Sequence, residues 1–372
     1  MFHTSSESNH SDPIGRTAQT LARFLALAAL AASSSAFAAT ESNPDLAARL
    51  SAAVPKGVTL VVAEQSDQAS TPWRLSGVGK TAPYDIKFAN FNGGPAVLES
   101  LVSGATDIGY IGEAPLPIAL SAGVQDLVAI AVIANPGSPG NIFLVVQPNS
   151  GIKSVKELAG RSIAYPPGTG RNMILAGILH TAGLNIRKDI KGVQLAGSEV
   201  APTFASGAVD GAIVLGQQYF RLGKPPILED GTGHNWGLNV IVVRKELLSD
   251  PAKRAAIADF TRRAVAFNNW QAAHPDEWIK ASYVKQQGLT FEQGKFLLEK
   301  SGQGTYYPIN KELVNVFQQI SDGLFETGAL TKKVSIEPYI DNRFNDIIEA
   351  QNESDGVKPR PLINEVHRAG QS

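Results

Sequence analysis

The stretch Ser103-Gly104-Ala105-Thr106-Asp107 leads into the apolar run Ile108-Gly109-Tyr110-Ile111-Gly112, and it has a near copy 103 positions later. The copy is Ser206-Gly207-Ala208-Val209-Asp210, followed by Gly211-Ala212-Ile213-Val214-Leu215-Gly216. Each stretch follows a short helical pattern, which predicts that Gly ends a helix and that Asp starts a buried strand. A helix–turn–strand unit built twice predicts two similar α/β lobes, and such lobes bind ligands at the carboxyl ends of their strands.

The apolar runs around the two copies fill out the lobes. Val58–Ala63 is a β-branched run typical of a buried parallel strand, and Leu238–Val243 predicts the strand that ends the second lobe. Pro136-Gly137-Ser138-Pro139-Gly140 is a candidate hinge, since Pro and Gly mark such boundaries. The chain after Asp250 has helical spacing of its apolar residues.

The predicted domain organisation follows from these boundaries. Residues 57–140 and 246–350 form a discontinuous first lobe, residues 141–245 form the second lobe, and residues 351–372 form a disordered tail.

Residues 1–38 predict a cleaved signal peptide for export to the periplasm. Arg16 and Arg23 supply positive charge, Phe24–Ala32 forms an apolar core, and Ala36-Phe37-Ala38 fits the cleavage pattern. An uncleaved membrane anchor is the alternative, but the apolar run is short for a membrane span. The chain carries no second run of that length.

Composition excludes several classes of function. The 372 residues include no Cys, which excludes disulfides, thiol nucleophiles and Cys-based zinc sites. Removing residues 1–38 leaves 31 Lys and Arg against 32 Asp and Glu. A nearly neutral surface argues against nucleic acid or anionic lipid as the main partner. We therefore expect a monomer that binds a small molecule.

Two helix starts are candidate anion sites. Phe91-Asn92-Gly93-Gly94-Pro95 enters one helix with Pro at its first position, and Tyr165–Asn172 enters another in the second lobe. Exposed backbone N–H groups and the positive end of the helix dipole favour an anion there. The predicted ligand contacts at these starts are Gly94, Pro95, Gly168, Thr169, Arg171 and Asn172. A single start of this kind favours a plain, solvated, Gly-capped turn, whereas the matched pair facing one cleft favours anion binding.

Four further residues follow predicted strands at the edge where α/β sheets contact ligands. Gln65 follows the first strand, Glu113 and Ala114 follow the first Gly-rich strand, and Gln217 occupies the matching place in the second lobe. Each is equally consistent with a surface or packing role.

No catalytic or metal motif is complete. Gly77-Val78-Gly79-Lys80-Thr81 ends like a phosphate-binding loop, but Arg74 stands where its first Gly belongs. The sequence lacks Gly-x-Ser-x-Gly and any His pair spaced for a metal. We therefore expect no enzyme activity, no metal and no cofactor.

Two stretches of the first lobe resemble a known protein family. Gly94–Leu101 and Ser103–Pro115 resemble the substrate-binding proteins of nitrate, sulfonate and taurine ABC importers, and most closely the branch that binds aliphatic sulfonates. Ile152–Gly160, Ala201–Asp210 and the stretch from Trp270 to Trp278 add to the resemblance, which runs from Val58 to Phe344.

The resemblance implies a type II periplasmic binding fold, in which two α/β lobes joined by two crossovers close over one ligand. It implies that Gly112-Glu113-Ala114, Gly168-Thr169 and Gln65 line the cleft. The chain departs from the family at Leu215 and Gln217, where many relatives have Trp and an acidic residue, and at Arg171, where relatives have a small or amide residue.

The resulting hypothesis is a periplasmic solute-binding protein that delivers an organic oxyanion, an alkanesulfonate, to an ABC permease and ATPase in sulfur transport. Two alternatives stay open. One is an enzyme on the same fold, of the desulfinase or pyrimidine-precursor synthase type, although those relatives use Cys. The other is an exported ligand sensor.

Overall fold

Two mixed β-sheets organise the computed structural model, which describes residues 43–135, 140–359 and 362. The predicted signal peptide, residues 136–139 of the hinge candidate and residues 363–372 of the predicted tail lie outside the described residues. The described residues from Leu46 onward form one compact unit.

The first sheet has the strand order β2-β1-β3-β10-β4-β11. Strands β1, β2 and β3 are parallel, and β10 runs antiparallel between β3 and β4. The bounds are β1 Thr59–Glu64, β2 Asp85–Asn90, β3 Ile108–Gly112, β4 Leu127–Ala134, β10 Leu238–Arg244 and β11 Thr305–Tyr307.

The second sheet has the order β7-β6-β8-β5-β9 and repeats the same plan. Strands β6, β7 and β8 are parallel, and β5 lies antiparallel beside β8, as β10 lies beside β3. The bounds are β5 Ile142–Val146, β6 Ser162–Tyr165, β7 Lys191–Gln194, β8 Gly211–Leu215 and β9 Ile227–Glu229.

Helices cover both faces of each sheet. They are α1 Asn43–Ala52, α2 Ser70–Ser76, α3 Gly94–Val102, α4 Pro115–Ser121, α5 Gly170–Thr181, α6 Val200–Ala205, α7 Gly216–Arg221, α8 Pro251–Ala273, α9 Pro275–Trp278, α10 Phe291–Ser301, α11 Lys311–Glu326 and α12 Asn345–Ser354. A π-helix spans Ile279–Gln286, and 3₁₀ turns span Val78–Thr81, Val155–Leu158, Lys245–Leu248 and Glu337–Tyr339. None of the helices in the described ranges has the length and apolar character needed to cross a membrane.

The turn that the sequence repeat predicts after each short helix is present in both lobes. Gly104 follows α3 with φ +79° and Gly207 follows α6 with φ +78°, both in the left-handed region that favours glycine. The next strand begins at Ile108 in the first lobe and at Gly211 in the second. The prediction of one helix–turn–strand unit in each lobe is therefore confirmed.

The predicted end of the second lobe needs correction. Leu238–Arg244 was assigned to the lobe of residues 141–245, but it forms β10 in the middle of the first sheet. Val240 and Val242 are fully buried there. The return crossover therefore lies between β9 and β10.

The predicted extent of the first lobe also differs, because residues 275–301 contact the first lobe through Gln286 and Thr71 but pack mainly against the second. We call this segment the C-terminal excursion. Leu289 and Leu297 join the hydrophobic core of the second lobe, and Phe296 packs edge-on against Phe220 of α7 at 5.8 Å. The chain then returns to the first sheet as β11. The chain therefore passes between the lobes four times, although the prediction allowed two.

The predicted tail begins too early. Residues 351–354 complete α12, where Gln351 and Asn352 are buried. The Asn352 side-chain amide donates to Tyr306 O of β11 at 2.8 Å and accepts from Asn269 of α8 at 3.1 Å. These bonds fix α12 on the first lobe.

Candidate functional site

A cavity of about 430 Å³ lies between the lobes. Residues of β3, of both crossovers, of α5 and α8 and of the C-terminal excursion surround it. Its wall consists of Gln68, Tyr110, Gly112, Glu113, Ile133, Asn135, Asn141, Ile142, Gly170, Met173, Ile174, Asn235, Gly237, Leu238, Asn239, Phe267, Asn268, Gln271, Trp278, Tyr283, Leu298, Ser301, Gly302 and Gly304. This volume falls in the range of pockets that enclose small organic ligands.

The two predicted helix starts face each other across the cleft. A Cβ atom placed on Gly168 would lie 3.2 Å from Pro95 Cγ, and one placed on Gly93 would lie 3.9 Å from Thr169 Cγ2. Beside them, Asn92 Nδ2 donates to Ser198 Oγ of the second lobe at 2.7 Å. The lobes are therefore in contact at the N-termini of α3 and α5, with the Pro95 ring between them. None of the six predicted contacts at these two helix starts is among the lining residues of the cavity. Gly170, the first residue of α5, is.

Arg171 is a buried cation in the first turn of α5, 8% exposed. Its Nη1 donates to Gln218 Oε1 at 3.1 Å, and no carboxylate of the described residues forms an ion pair with it. A Cβ on Gly197 would lie 2.4 Å from Arg171 Nη2 and 3.3 Å from Asn92 Oδ1. Burial lowers the pKa of Arg171 to about 10, so the guanidinium stays charged at pH 7.

Thr169 and Asn172 serve the helix itself. Thr169 is the N-cap of α5, and its hydroxyl accepts from Asn172 N at 3.4 Å. The same hydroxyl donates to Pro166 O at 2.9 Å. The Asn172 side chain is buried and lies outside the cavity wall. The cap orients the first turn of α5, including the N–H groups next to Arg171.

Glu113 lines the cavity, but its carboxylate accepts hydrogen bonds from backbone N–H groups of the return crossover. The N–H of Trp236 donates to both carboxylate oxygens, at 2.9 and 3.1 Å, and Leu238 N donates to Oε2 at 3.0 Å. Burial raises the pKa of Glu113 to about 7, against the lowering effect of the bonds from Leu238 and Trp236. This side chain therefore anchors the crossover to the end of β3.

The other predicted site residues lie outside the cavity wall. Gln65 is half-buried and donates to Tyr110 O at 3.2 Å, and Ala114 is fully buried at the start of α4. Gly94 packs against Pro115, since a Cβ there would lie 2.4 Å from Pro115 Cγ. Gln217 is half-buried, while its neighbour Gln218 makes the bond to Arg171. Ligand contact by these residues stays a prediction.

Seven side-chain amides and four aromatic rings, together nearly half of the 24 described lining residues, were not predicted as site residues. Asn135 and Asn141 flank the first crossover, and both donate to Ser301 at the end of α10, Asn141 Nδ2 to Ser301 Oγ at 2.5 Å. Trp278 lies in the part of the chain after Asp250, where the helical spacing of apolar residues predicts ordinary amphipathic packing. The available signal was the presence of an Asn next to each crossover strand, at Asn135, Asn141, Asn235 and Asn239.

No metal centre accompanies the cavity. Within residues 43–135, 140–359 and 362, no group of three or more His, Cys, Asp or Glu residues is arranged to hold an ion. The chemistry available at this site is hydrogen bonding, apolar contact and the charge of Arg171.

Comparison with known proteins agrees with this architecture. Residues 45–219 match the model of the NMT1-like family. The chain is 29% identical over 321 residues to a protein of Escherichia coli (strain K12) named as an aliphatic sulfonates-binding protein, covering 85% of this chain and 95% of the relative. The structure superposes on the alkanesulfonate-binding protein SsuA from Xanthomonas axonopodis pv. citri bound to MOPS, with TM-score 0.68, 21% identity and coverage of 77% and 99%.

The fold alone is also shared with an enzyme. The desulfurization enzyme DSZB superposes with TM-score 0.55 at 14% identity, covering 79% of this chain and 99% of the enzyme. The predicted fold class and family resemblance are confirmed: the chain has the two-lobed periplasmic binding fold, its residues 45–219 match the NMT1-like family model, and it is similar over most of its length to a protein named for binding aliphatic sulfonates.

Proposed function

We propose that this protein is the periplasmic solute-binding component of an ABC importer and that it binds an organic sulfonate in the cleft between its lobes. The observation that carries the proposal is Arg171, a buried guanidinium with no carboxylate partner among the described residues. A buried charge without a counterion is costly, and an anionic ligand supplies one.

The position of Arg171 strengthens the argument. It lies in the first turn of α5, where free backbone N–H groups and the helix dipole also favour a negative group. The N-terminus of α3 meets this turn from the other lobe. Asn92 of the first lobe and Arg171 of the second both adjoin Gly197, so an anion held at Arg171 is close to both lobes. Such an anion stabilises the form in which the lobes are together, and a permease can distinguish that form.

A sulfonate suits this arrangement better than a carboxylate of similar size. Its charge is permanent and is spread over three oxygens, so it can accept from Arg171 and from the helix N–H groups together. The relatives whose names refer to sulfonates support this choice of headgroup.

Isothermal titration with octanesulfonate tests the proposal through Arg171→Gln. Loss of one charge-assisted contact to a buried anion costs about 3 kcal/mol, so we expect affinity to fall by roughly 100-fold or more. Arg161→Gln is the matched control: it removes a second-lobe Arg before β6, at the opposite end of that strand from α5, and octanesulfonate affinity should not change.

The same titration separates the remaining alternatives. Incubation with the matching sulfinate, octanesulfinate, separates the enzyme alternative. A desulfinase on this fold adds water across the C–S bond, so that octane and sulfite are released, whereas an importer component leaves the sulfinate unchanged. Equal binding by wild type and Arg171→Gln contradicts the proposed headgroup site. Failure of the wild type to bind any sulfonate contradicts the proposed function and favours a sensor of another ligand.

A further inference from the structure

The cavity wall has a chemical character that the anion site does not explain. Aromatic rings contribute much of it, namely Tyr110, Phe267, Trp278 and Tyr283. Among the described residues that line the cavity there is no Lys, Arg or His. Arg171 is not among these lining residues, although Gly170 and Met173 of the same helix are, and the described wall offers no positive charge for a ligand's negative group.

Glu113 is the only acidic side chain among the described lining residues, and its carboxylate already accepts hydrogen bonds. Its two oxygens accept three hydrogen bonds from the backbone of Trp236 and Leu238. A ligand that carried a second charge, such as the ammonium of an aminosulfonate, would have to compete with these bonds. The cavity therefore favours a ligand body without charge.

Four of the seven side-chain amides that line the cavity donate to other groups of the protein. Asn135 and Asn141 bind Ser301, and Asn268 Nδ2 donates to Gly304 O at 2.9 Å. The Tyr110 hydroxyl lies 3.2 Å from that of Tyr306. These groups hold the wall together and leave a predominantly apolar interior for the ligand.

The C-terminal excursion supplies the part of this wall that the two-lobed plan alone would not provide. Trp278 is buried, 7% exposed, and it lines the cavity together with Tyr283 and Leu298. The segment is fixed to the second lobe through Leu289 and Leu297, and to the return crossover by the ion pair of Lys300 Nζ with Asp230 Oδ2 at 2.8 Å.

We infer that this cavity holds the uncharged hydrophobic body of the ligand and that Trp278 is a specificity-determining residue. The protein selects sulfonates with a bulky apolar body, of the size of a bicyclic aromatic ring or an eight-carbon chain, over methanesulfonate and taurine. This inference rests on the proposed function and adds the substrate class. A volume of about 430 Å³ supports it, since a one-carbon sulfonate would leave most of that space to water.

Isothermal titration of the full chain with methanesulfonate, taurine, octanesulfonate and naphthalene-2-sulfonate tests the inference. Each buried carbon group contributes roughly fourfold in affinity, so octanesulfonate and naphthalene-2-sulfonate should bind at least about 100-fold more tightly than methanesulfonate. Taurine should bind no more tightly than methanesulfonate.

Trp278→Ala should weaken naphthalene-2-sulfonate by about tenfold or more and change methanesulfonate by less than about twofold. Trp270→Ala is the matched control, because Trp270 stacks on His274 at 4.6 Å and lies outside the cavity wall. Trp278→Phe retains a ring and should recover most of the affinity, which guards against a misfolded Ala variant.

The outcomes distinguish the two proposals. Methanesulfonate or taurine binding as tightly as naphthalene-2-sulfonate overturns the size selection and leaves the sulfonate site standing. An equal loss for all ligands in Trp278→Ala, with Trp278→Phe folded and equally weak, overturns the role of Trp278. Absence of binding by all four sulfonates removes the proposed function and this inference with it.

Discussion

Each lobe has an Asp at the matching position of the repeat, and both Asp residues bind the backbone of a neighbouring parallel strand, but their surroundings differ. In the first lobe Asp107 Oδ2 accepts from Val61 N at 2.8 Å, and Asp107 N donates to Val61 O. In the second lobe Asp210 Oδ2 accepts from Ser162 N at 2.8 Å, and Asp210 N donates to Ser162 O. In each lobe the Asp joins the start of one parallel strand to its neighbour.

The counterions of the two carboxylates differ. Asp107 is buried and pairs with Lys253 Nζ of α8 at 2.9 Å. Asp210 is one-third exposed, with Arg161 Nη1 at 3.6 Å, and the hydroxyl and N–H of Ser162 lower its pKa. The repeated sequence therefore fixes the strand contact, while helix packing decides how much stability that contact contributes.

The largest expected difference between the lobes lies at this pair. Asp107→Ala removes two charge-assisted bonds and leaves Lys253 without its partner, so the free energy of unfolding should fall by about 3–4 kcal/mol. Asp210→Ala, at a partly exposed site, should cost about 1 kcal/mol. Urea unfolding monitored by circular dichroism measures both. Equal losses would contradict the distinction, and Asp126→Ala, at an exposed position outside both repeats, serves as the control.

The residues that follow the repeated strands differ in whether they titrate, so the two strand ends should differ in the pH dependence of stability. After β3 the chain has Glu113, and after β8 it has Gln217 and Gln218. Burial raises the pKa of Glu113 to about 7, above the ordinary value of 4.5. Between these values the folded protein binds a proton that the unfolded chain does not. The contribution of Glu113 to stability is therefore present below about pH 4.5 and is lost as the pH rises through 7.

Glu113→Gln removes this titration, because the amide is neutral throughout. From pH 5 to pH 8 the free energy of unfolding of the wild type should fall by about 2–3 kcal/mol more than that of the variant. Urea titrations at the two pH values measure the difference. Parallel changes in the two proteins would show that Glu113 has an ordinary pKa in the folded state.

The comparison also explains what the sequence predicted well. A positive-φ Gly followed three residues later by Asp and an apolar run is a local pattern, so both copies were recognised with the correct strand starts. The lobe to which an apolar strand belongs is not local. Leu238–Arg244 fits either sheet by composition, and only the pairing of β10 with β3 and β4 places it in the first.

The candidate site also has parts that local sequence patterns predict and parts that they do not. The helix starts at Gly94 and Gly170 have local signals, and the structure brings them together. The cavity wall has no such local signal in the sequence. A single Asn cannot be told from a surface residue by its neighbours, and a Trp on an amphipathic helix cannot be told from a core residue. Trp278 lines the cavity as part of the segment 275–301, and the course of that segment depends on packing of Leu289 and Leu297 in the core of the second lobe, which is distant in sequence.

The smallest expected effect concerns the turn that both lobes share. Gly104 and Gly207 have φ values of +79° and +78°, and an added Cβ would meet no atom within 4 Å at either position. The cost of Gly104→Ala and of Gly207→Ala therefore comes from the left-handed backbone alone, about 1 kcal/mol each. Urea unfolding should give the same loss for the two variants within about 0.5 kcal/mol. A clear inequality would mean that the surroundings of the turn also differ between the lobes, so that the difference between Asp107 and Asp210 could not be assigned to their counterions.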